Sequence, residues 1–149
     1  MTAKYKVDEA VRRTRLRALE TALQHVRADY TERGDKITAA EELLGYRVFT
    51  TAQVAGWLGL TTYALEGRAQ EFEDAGRAEG WGCRQLEVDQ LPTAIQLAKA
   101  GLSESKPKTL IFDAHTKHGM TFDMIGGLLC QHKNTVRRIV RRIEGEPWT

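Results

Sequence analysis

Cysteine is nearly missing from this chain. Cys83 and Cys130 are the only two in 149 residues, too few and too unpatterned for a disulfide scaffold, so a reducing, cytoplasmic setting is expected. No apolar run approaches the ~20 residues that a membrane span needs. The opening Met1-Thr2-Ala3-Lys4-Tyr5-Lys6 leads into charged sequence without a signal peptide's apolar stretch. No membrane partner is therefore expected. Residues for catalysis are just as scarce. His115, His118, Cys130 and His132 are the one metal-like cluster, and it lacks the close pairs, such as Cys-x-x-Cys, that zinc sites prefer. Gly126-Gly127 lies within an apolar helix and not in a phosphate loop. Glu41-Glu42 and Glu73-Asp74 read as solvated helix faces, and Ser103 and Ser105 sit in a linker without a base. The expectation is a protein that is no enzyme and carries no metal or cofactor. Trp57, Tyr63, Phe72 and Trp81 lack the basic interleaving of a base-stacking surface and read as packing residues.

Charge is plentiful, at 28% of residues, and unevenly spread although the net is only +2. From Lys106 to Arg142, eight Lys and Arg residues face only Asp113 and Asp123, a net of +6. From Glu66 to Asp89, seven acids face Arg68, Arg77 and Arg84, a net of −4. One end suits an anion and the middle does not. Val7 to Tyr30 holds no glycine or proline and reads as one helix. Leu16, Leu19, Leu23, Val26 and Tyr30 recur along it at steps of three and four. Arg12, Arg13, Arg15 and Arg17 make its start basic, as solvated surface or a phosphate contact. Such like-signed crowding opposes two helices side by side, so the seam is assigned to the chain's own core and a monomer is favoured over a homodimer.

The most informative stretch runs from Met120 to Ile139. It divides into two short helices joined by a tight turn, with Ile125, Leu129, Val136, Ile139, Val140 and Ile143 at helical spacing to share one core. Gly126 is small where the helices must approach closely. Lys133, Asn134, Arg137, Arg138, Arg141 and Arg142 fall on or around the exposed side, with His132 and Thr135 near the helix start. Arg can pair with guanine edges, Asn with adenine, and Lys and Arg with phosphates. The stretch resembles the helix-turn-helix of sigma-factor region four and of phage repressors. Ile125-Gly126 matches the aliphatic and small positions, and Thr135-Val136-Arg137-Arg138 the opening of the recognition helix. It departs at Cys130, which takes the usual turn glycine, at Gln131, and at His132, a poor capping residue where Ser or Thr is usual.

Gly34-Asp35 reads as a chain break before a short helix from Thr38 to Leu44. A second helix-turn-helix pattern then runs from Val48 to Leu65, capped at Thr50 or Thr51. Gly80-Trp81-Gly82-Cys83-Arg84-Gln85-Leu86 suggests a tight turn between short strands, and a helix ends in Gly101-Leu102-Ser103. Together, residues 48–103 are similar to the winged-helix head of MerR-type regulators. That resemblance implies DNA contacts at Thr61, Thr62, Tyr63 and Arg68, with Arg84 added from the wing. Glu66 and Gly67 on the implied reading helix depart from the basic pattern of a DNA reader.

The expected architecture is thus mainly α, with an N-terminal helix in 1–34, a winged helix with a small β wing in 35–103, a linker at 104–108, and a three-helix unit in 109–149. The expected function is a sequence-specific double-stranded DNA-binding transcriptional regulator, a repressor of bacterial or phage type. It would read the major groove with the C-terminal helix, and no segment remains for a separate effector-binding domain. Two alternatives are an excisionase-like architectural DNA-binding protein, and an adaptor meeting polymerase or a recombinase through the acidic middle segment.

Overall fold

The computed structural model describes residues 7–66, 81, 83 and 85–145. These residues form seven α-helices, two short 3₁₀ turns and no strand. None of the helices described is long and apolar enough to cross a membrane.

Helix α1 (Glu9–Ala28) begins after Asp8 and ends at Asp29, whose backbone takes the left-handed conformation at φ 50°. Its seam turns inward. Ala18, Leu19 and Ala22 are fully buried, and Leu16, Leu23, Val26 and Tyr30 pack around them. A short relay ties the end of α1 to α2 (Arg33–Gly45). The Tyr30 hydroxyl meets His25 Nδ1 at 2.8 Å, and His25 Nε2 donates to the Glu42 carboxylate at 2.7 Å. The expected break at Gly34-Asp35 is not where the chain turns, and α2 starts well ahead of Thr38. Asp29 makes the reversal, and Gly34 and Asp35 lie in the first turn of α2. First-turn N–H groups have no helical partner in any case, and an acid there suits the helix dipole.

Helix α3 (Thr51–Leu58) opens on a capping box in which Thr50 and Gln53 satisfy each other's backbone N–H groups. It closes on Gly59 at φ 71°, a backbone state that glycine adopts without a Cβ penalty. Where the second helix was expected, the described part is a 3₁₀ turn, Thr62–Leu65, capped by the Thr61 hydroxyl, and residues 67–70 lie outside the described residues. Glu66 then leaves helical space at ψ 140°, and the next residue is Gly67, a weak helix former. Arg68 lies outside the described residues.

The expected β wing is also absent among the described residues. Strand pairing leaves backbone groups to meet one another, but here side chains take them. Trp57 Nε1 donates to the Leu86 carbonyl at 2.9 Å, and the Gln53 amide donates to the Cys83 carbonyl. Trp81, Cys83 and Leu86 are all buried, and Gln85 between them is exposed. Gly80, Gly82 and Arg84 lie outside the described residues.

Helix α4 (Leu91–Leu102) is the central post, packing on α1 along one side and on α6 along another. At Gly101 the approach is so close that a Cβ would stand 2.7 Å from the Leu128 carbonyl oxygen. Helices α5 (Lys108–Thr116), α6 (Phe122–Leu129) and α7 (Lys133–Ile143) follow. One hydrophobic core joins Ala18 at one end of the sequence to Val140 at the other. The segment between α4 and α5 is itself tied down, with the Ser105 N–H donating to the Ala100 carbonyl at 2.9 Å.

Candidate nucleic-acid interface

The α6–α7 unit is built from its turn outward. Thr121 caps α6, its hydroxyl accepting from the Met124 N–H at 3.1 Å. From Met124 to Leu129 every residue of α6 is buried, so this helix is anchored and has no free face to offer. The chain turns at Cys130, which takes φ 57° and ψ 42°. The Cys130 and Gln131 N–H groups both reach the Gly126 carbonyl, the second at 2.9 Å. Above Gly126 there is no room. A Cβ there would lie 2.6 Å from the Gln131 carbonyl oxygen and 3.4 Å from the Lys133 nitrogen.

His132 is the cap of α7, against its poor standing as a capping residue. Its Nδ1 accepts from the Asn134 N–H at 3.0 Å, which requires the proton to sit on Nε2. An imidazole nitrogen does here what a serine hydroxyl does elsewhere, satisfying an N–H at the helix start.

Helix α7 then divides sharply by angle. Val136 and Val140 are each 1% exposed, and Ile139 packs partly against the same core. Ile143, expected to join that core, is exposed instead, because the helix has run past the end of the packed layer. Lys133, Asn134, Arg137, Arg138, Arg141 and Arg142 are all exposed, with His132 and Thr135 half-buried beside them. The Arg137 guanidinium donates to Asn134 Oδ1 at 3.2 Å, so the carboxamide and the guanidinium are held as a pair near the helix start. Among the acids around this row, Asp113 on α5 faces Lys117 at 3.7 Å, Asp123 stands in the first turn of α6, and Glu144 closes α7 just beyond Arg141 and Arg142. Lys133 stands at the positive end of the helix dipole, where a phosphate would be welcome.

The remaining expected contacts are not gathered with this row. Thr61, Thr62 and Tyr63 are exposed, Tyr63 by 80%, on the 3₁₀ turn that packs against α2 and α3. Arg68 and Arg84 lie outside the described residues.

One residue was misjudged from its type. Arg15, counted among the basic surface of α1, is 6% exposed, with its guanidinium 4.6 Å from the centre of the Trp81 ring. Burial lowers its pKa, and it lies within electrostatic reach of Cys130 and Cys83. The Cys83 thiol, wholly buried, donates to the Met124 carbonyl at 3.6 Å. Burial pushes its pKa strongly upward, with Arg15 pulling the other way. The helical step gave the signal for Arg15, since it precedes Ala18, Leu19 and Ala22 by three, four and seven. Arg12 also turns inward, donating to the Gly101 carbonyl at 3.1 Å.

His115 Nδ1 donates to the Met120 carbonyl at 2.9 Å and its ring stacks on Phe122. Among the described residues no three His, Cys, Asp or Glu side chains converge. Comparison with protein families, with curated proteins and with solved structures finds nothing that matches this chain.

Proposed function

We propose that the chain is a sequence-specific double-stranded DNA-binding protein that reads the major groove with α7 and regulates transcription by occupying its site. The observation that carries this reading is the division of α7: two valines sunk into the core, and a lysine, an asparagine and four arginines exposed on one continuous surface. A major groove admits one α-helix, and side chains near its start reach base edges while flanking cations meet phosphates. Asn134 and Arg137 are the base-reading pair. Lys133, Arg138, Arg141 and Arg142 are the phosphate contacts, and Thr61, Thr62 and Tyr63 serve as a secondary, positioning surface. Packing of the α1 seam within its own chain supports a monomer on an asymmetric site over a dimer on a palindrome.

Selection of bound sequences from random DNA, followed by titration of the recovered site, is the test. Arg137→Ala should weaken binding by about 1–3 kcal/mol and relax preference at one base pair. No sequence enrichment, or an Arg137→Ala protein with unchanged affinity and preference, would sink the assignment.

A further inference from the structure

Asn134 and Arg137 are joined before any DNA arrives, and that bond limits what each can read. Arg137 Nη2 donates to Asn134 Oδ1 at 3.2 Å, and both side chains are exposed. Both backbones are anchored. His132 Nδ1 accepts from the Asn134 N–H at 3.0 Å, and Val136, next to Arg137, is 1% exposed. The two side-chain tips therefore stand as one unit on a fixed stretch of α7.

A guanidinium only donates, so the carboxamide must turn its oxygen toward Arg137. The bond uses one lone pair of Oδ1 and one N–H of the guanidinium. Asn134 keeps its other lone pair and both amide N–H groups, and Arg137 keeps only donors. In the major groove, adenine presents one acceptor, N7, beside one donor, the N6 amino group. The rest of the Asn134 carboxamide meets both at once, and no other base offers that combination. Guanine presents two acceptors, O6 and N7, which suit a group that only donates. Exchanged, the two would clash, since Arg137 would face the N6 amino group of adenine and Oδ1 would face O6 of guanine. Spacing follows from the bond. Stacked base pairs lie about 3.4 Å apart, close to the 3.2 Å between the bonded atoms. Bases two steps apart, at about 6.8 Å, would pull the pair apart.

We propose that Asn134 and Arg137 read as one bonded unit, taking an adenine and a guanine on neighbouring base pairs, so that the recognised sequence contains an adjacent A·T and G·C step. This rests on the DNA-binding reading and deepens it, since it names the bases and ties the two contacts together. Each side chain holds the other ready, so neither has to be ordered separately when DNA arrives. Ordering one such side chain costs enough to shift affinity severalfold.

Selection from random DNA with the full chain should recover a site with adenine and guanine on neighbouring base pairs. The Asn134→Asp protein is the sharper probe. A carboxylate still accepts from Arg137 and suits the first turn of a helix, so the fold and the bond survive. It cannot donate to adenine N7, but it accepts from the cytosine amino group. Its selected site should therefore carry cytosine in place of the adenine, preferred at least about tenfold, with the neighbouring guanine kept. On the wild-type site, Asn134→Ala and Arg137→Ala should be non-additive, the double variant losing at least about threefold less affinity than the product of the single losses. A recovered site without the adenine–guanine neighbours, a base preference unmoved in the Asn134→Asp protein, or strictly multiplicative losses would overturn the bonded unit while leaving DNA binding intact. No enriched sequence from the wild type would instead overturn the DNA-binding reading, and this inference with it.

Discussion

Gly126→Ala probes the turn that aims α7. A Cβ at that position would stand 2.6 Å from the Gln131 carbonyl oxygen, and this neighbour is backbone, so no side chain can swing away. The turn or α6 must retreat by several tenths of an ångström. Overpacking of this kind typically costs about 1–3 kcal/mol, offset by roughly 1 kcal/mol from alanine's better helix propensity. A net loss of up to about 2 kcal/mol lowers Tm by up to roughly 8 °C for a chain of this length. Gly56→Ala is the matched control. It too is a helical glycine, but a Cβ there meets nothing within 4 Å, so the same change should stabilise by about 0.5–1 kcal/mol. Thermal and urea unfolding of both variants give the signs directly. The DNA affinity of the folded Gly126→Ala protein should also fall, because retreat of Gln131 moves the start of α7. If Gly126→Ala stabilises as much as Gly56→Ala, the close approach does not exist and the argument for a fixed turn fails.

Cys130→Gly should raise stability by about 0.5–1 kcal/mol, the left-handed penalty of an L residue less the greater freedom glycine gives the unfolded chain; an unchanged or lower urea midpoint would refute it. Cys83 titrates higher in the folded chain than in the unfolded one, so the stability tied to its protonated form is intact below the ordinary thiol range and declines as pH rises through it. By pH 10 that decline amounts to about 2 kcal/mol, and Cys83→Ala should show a flatter Tm between pH 8 and pH 10; parallel profiles would refute the assignment. DNA affinity should fall with salt at a log–log slope of roughly −4, for the four phosphate contacts on α7, and Arg138→Ala should flatten it by about one unit. A salt-independent affinity would point to a protein partner instead.

What could be read from the sequence depended on how far each signal is local. Helix α7 was legible to the residue, Lys133 to Ile143, because Val136 and Val140 set the phase and His132 falls just outside it. The α1 seam was legible for the same reason, since its leucines repeat with the helix. The middle was not. Val48 to Leu65 carries a good two-helix pattern, but the second helix needs Glu66 to continue, and its backbone turns extended. The stretch at 80–86 looked like a wing because glycines and short apolar steps suit a hairpin. Its backbone carbonyls are claimed by Gln53 and Trp57, about thirty residues distant in sequence, and no local pattern announces such a pairing.

Arginine shows most plainly why residue type alone misleads here. Arg15 and Arg137 have the same side chain, each lies on an amphipathic helix, and each has other arginines close by in sequence. Angle separates them. Arg15 shares the stripe of Ala18, Leu19 and Ala22, so it is carried under the surface and onto Trp81. Arg137 follows Val136 by one residue, a turn of about 100° away from the core, and remains in water. Removing Arg137 therefore strips a charge from the surface at little cost to folding, since solvated side chains seldom contribute much. Removing Arg15 would open the core beneath α1 and disturb Trp81, Cys83 and the turn together. A charge-removal series along α7 thus separates binding from stability, whereas the same series along α1 would confound them at Arg12 and Arg15.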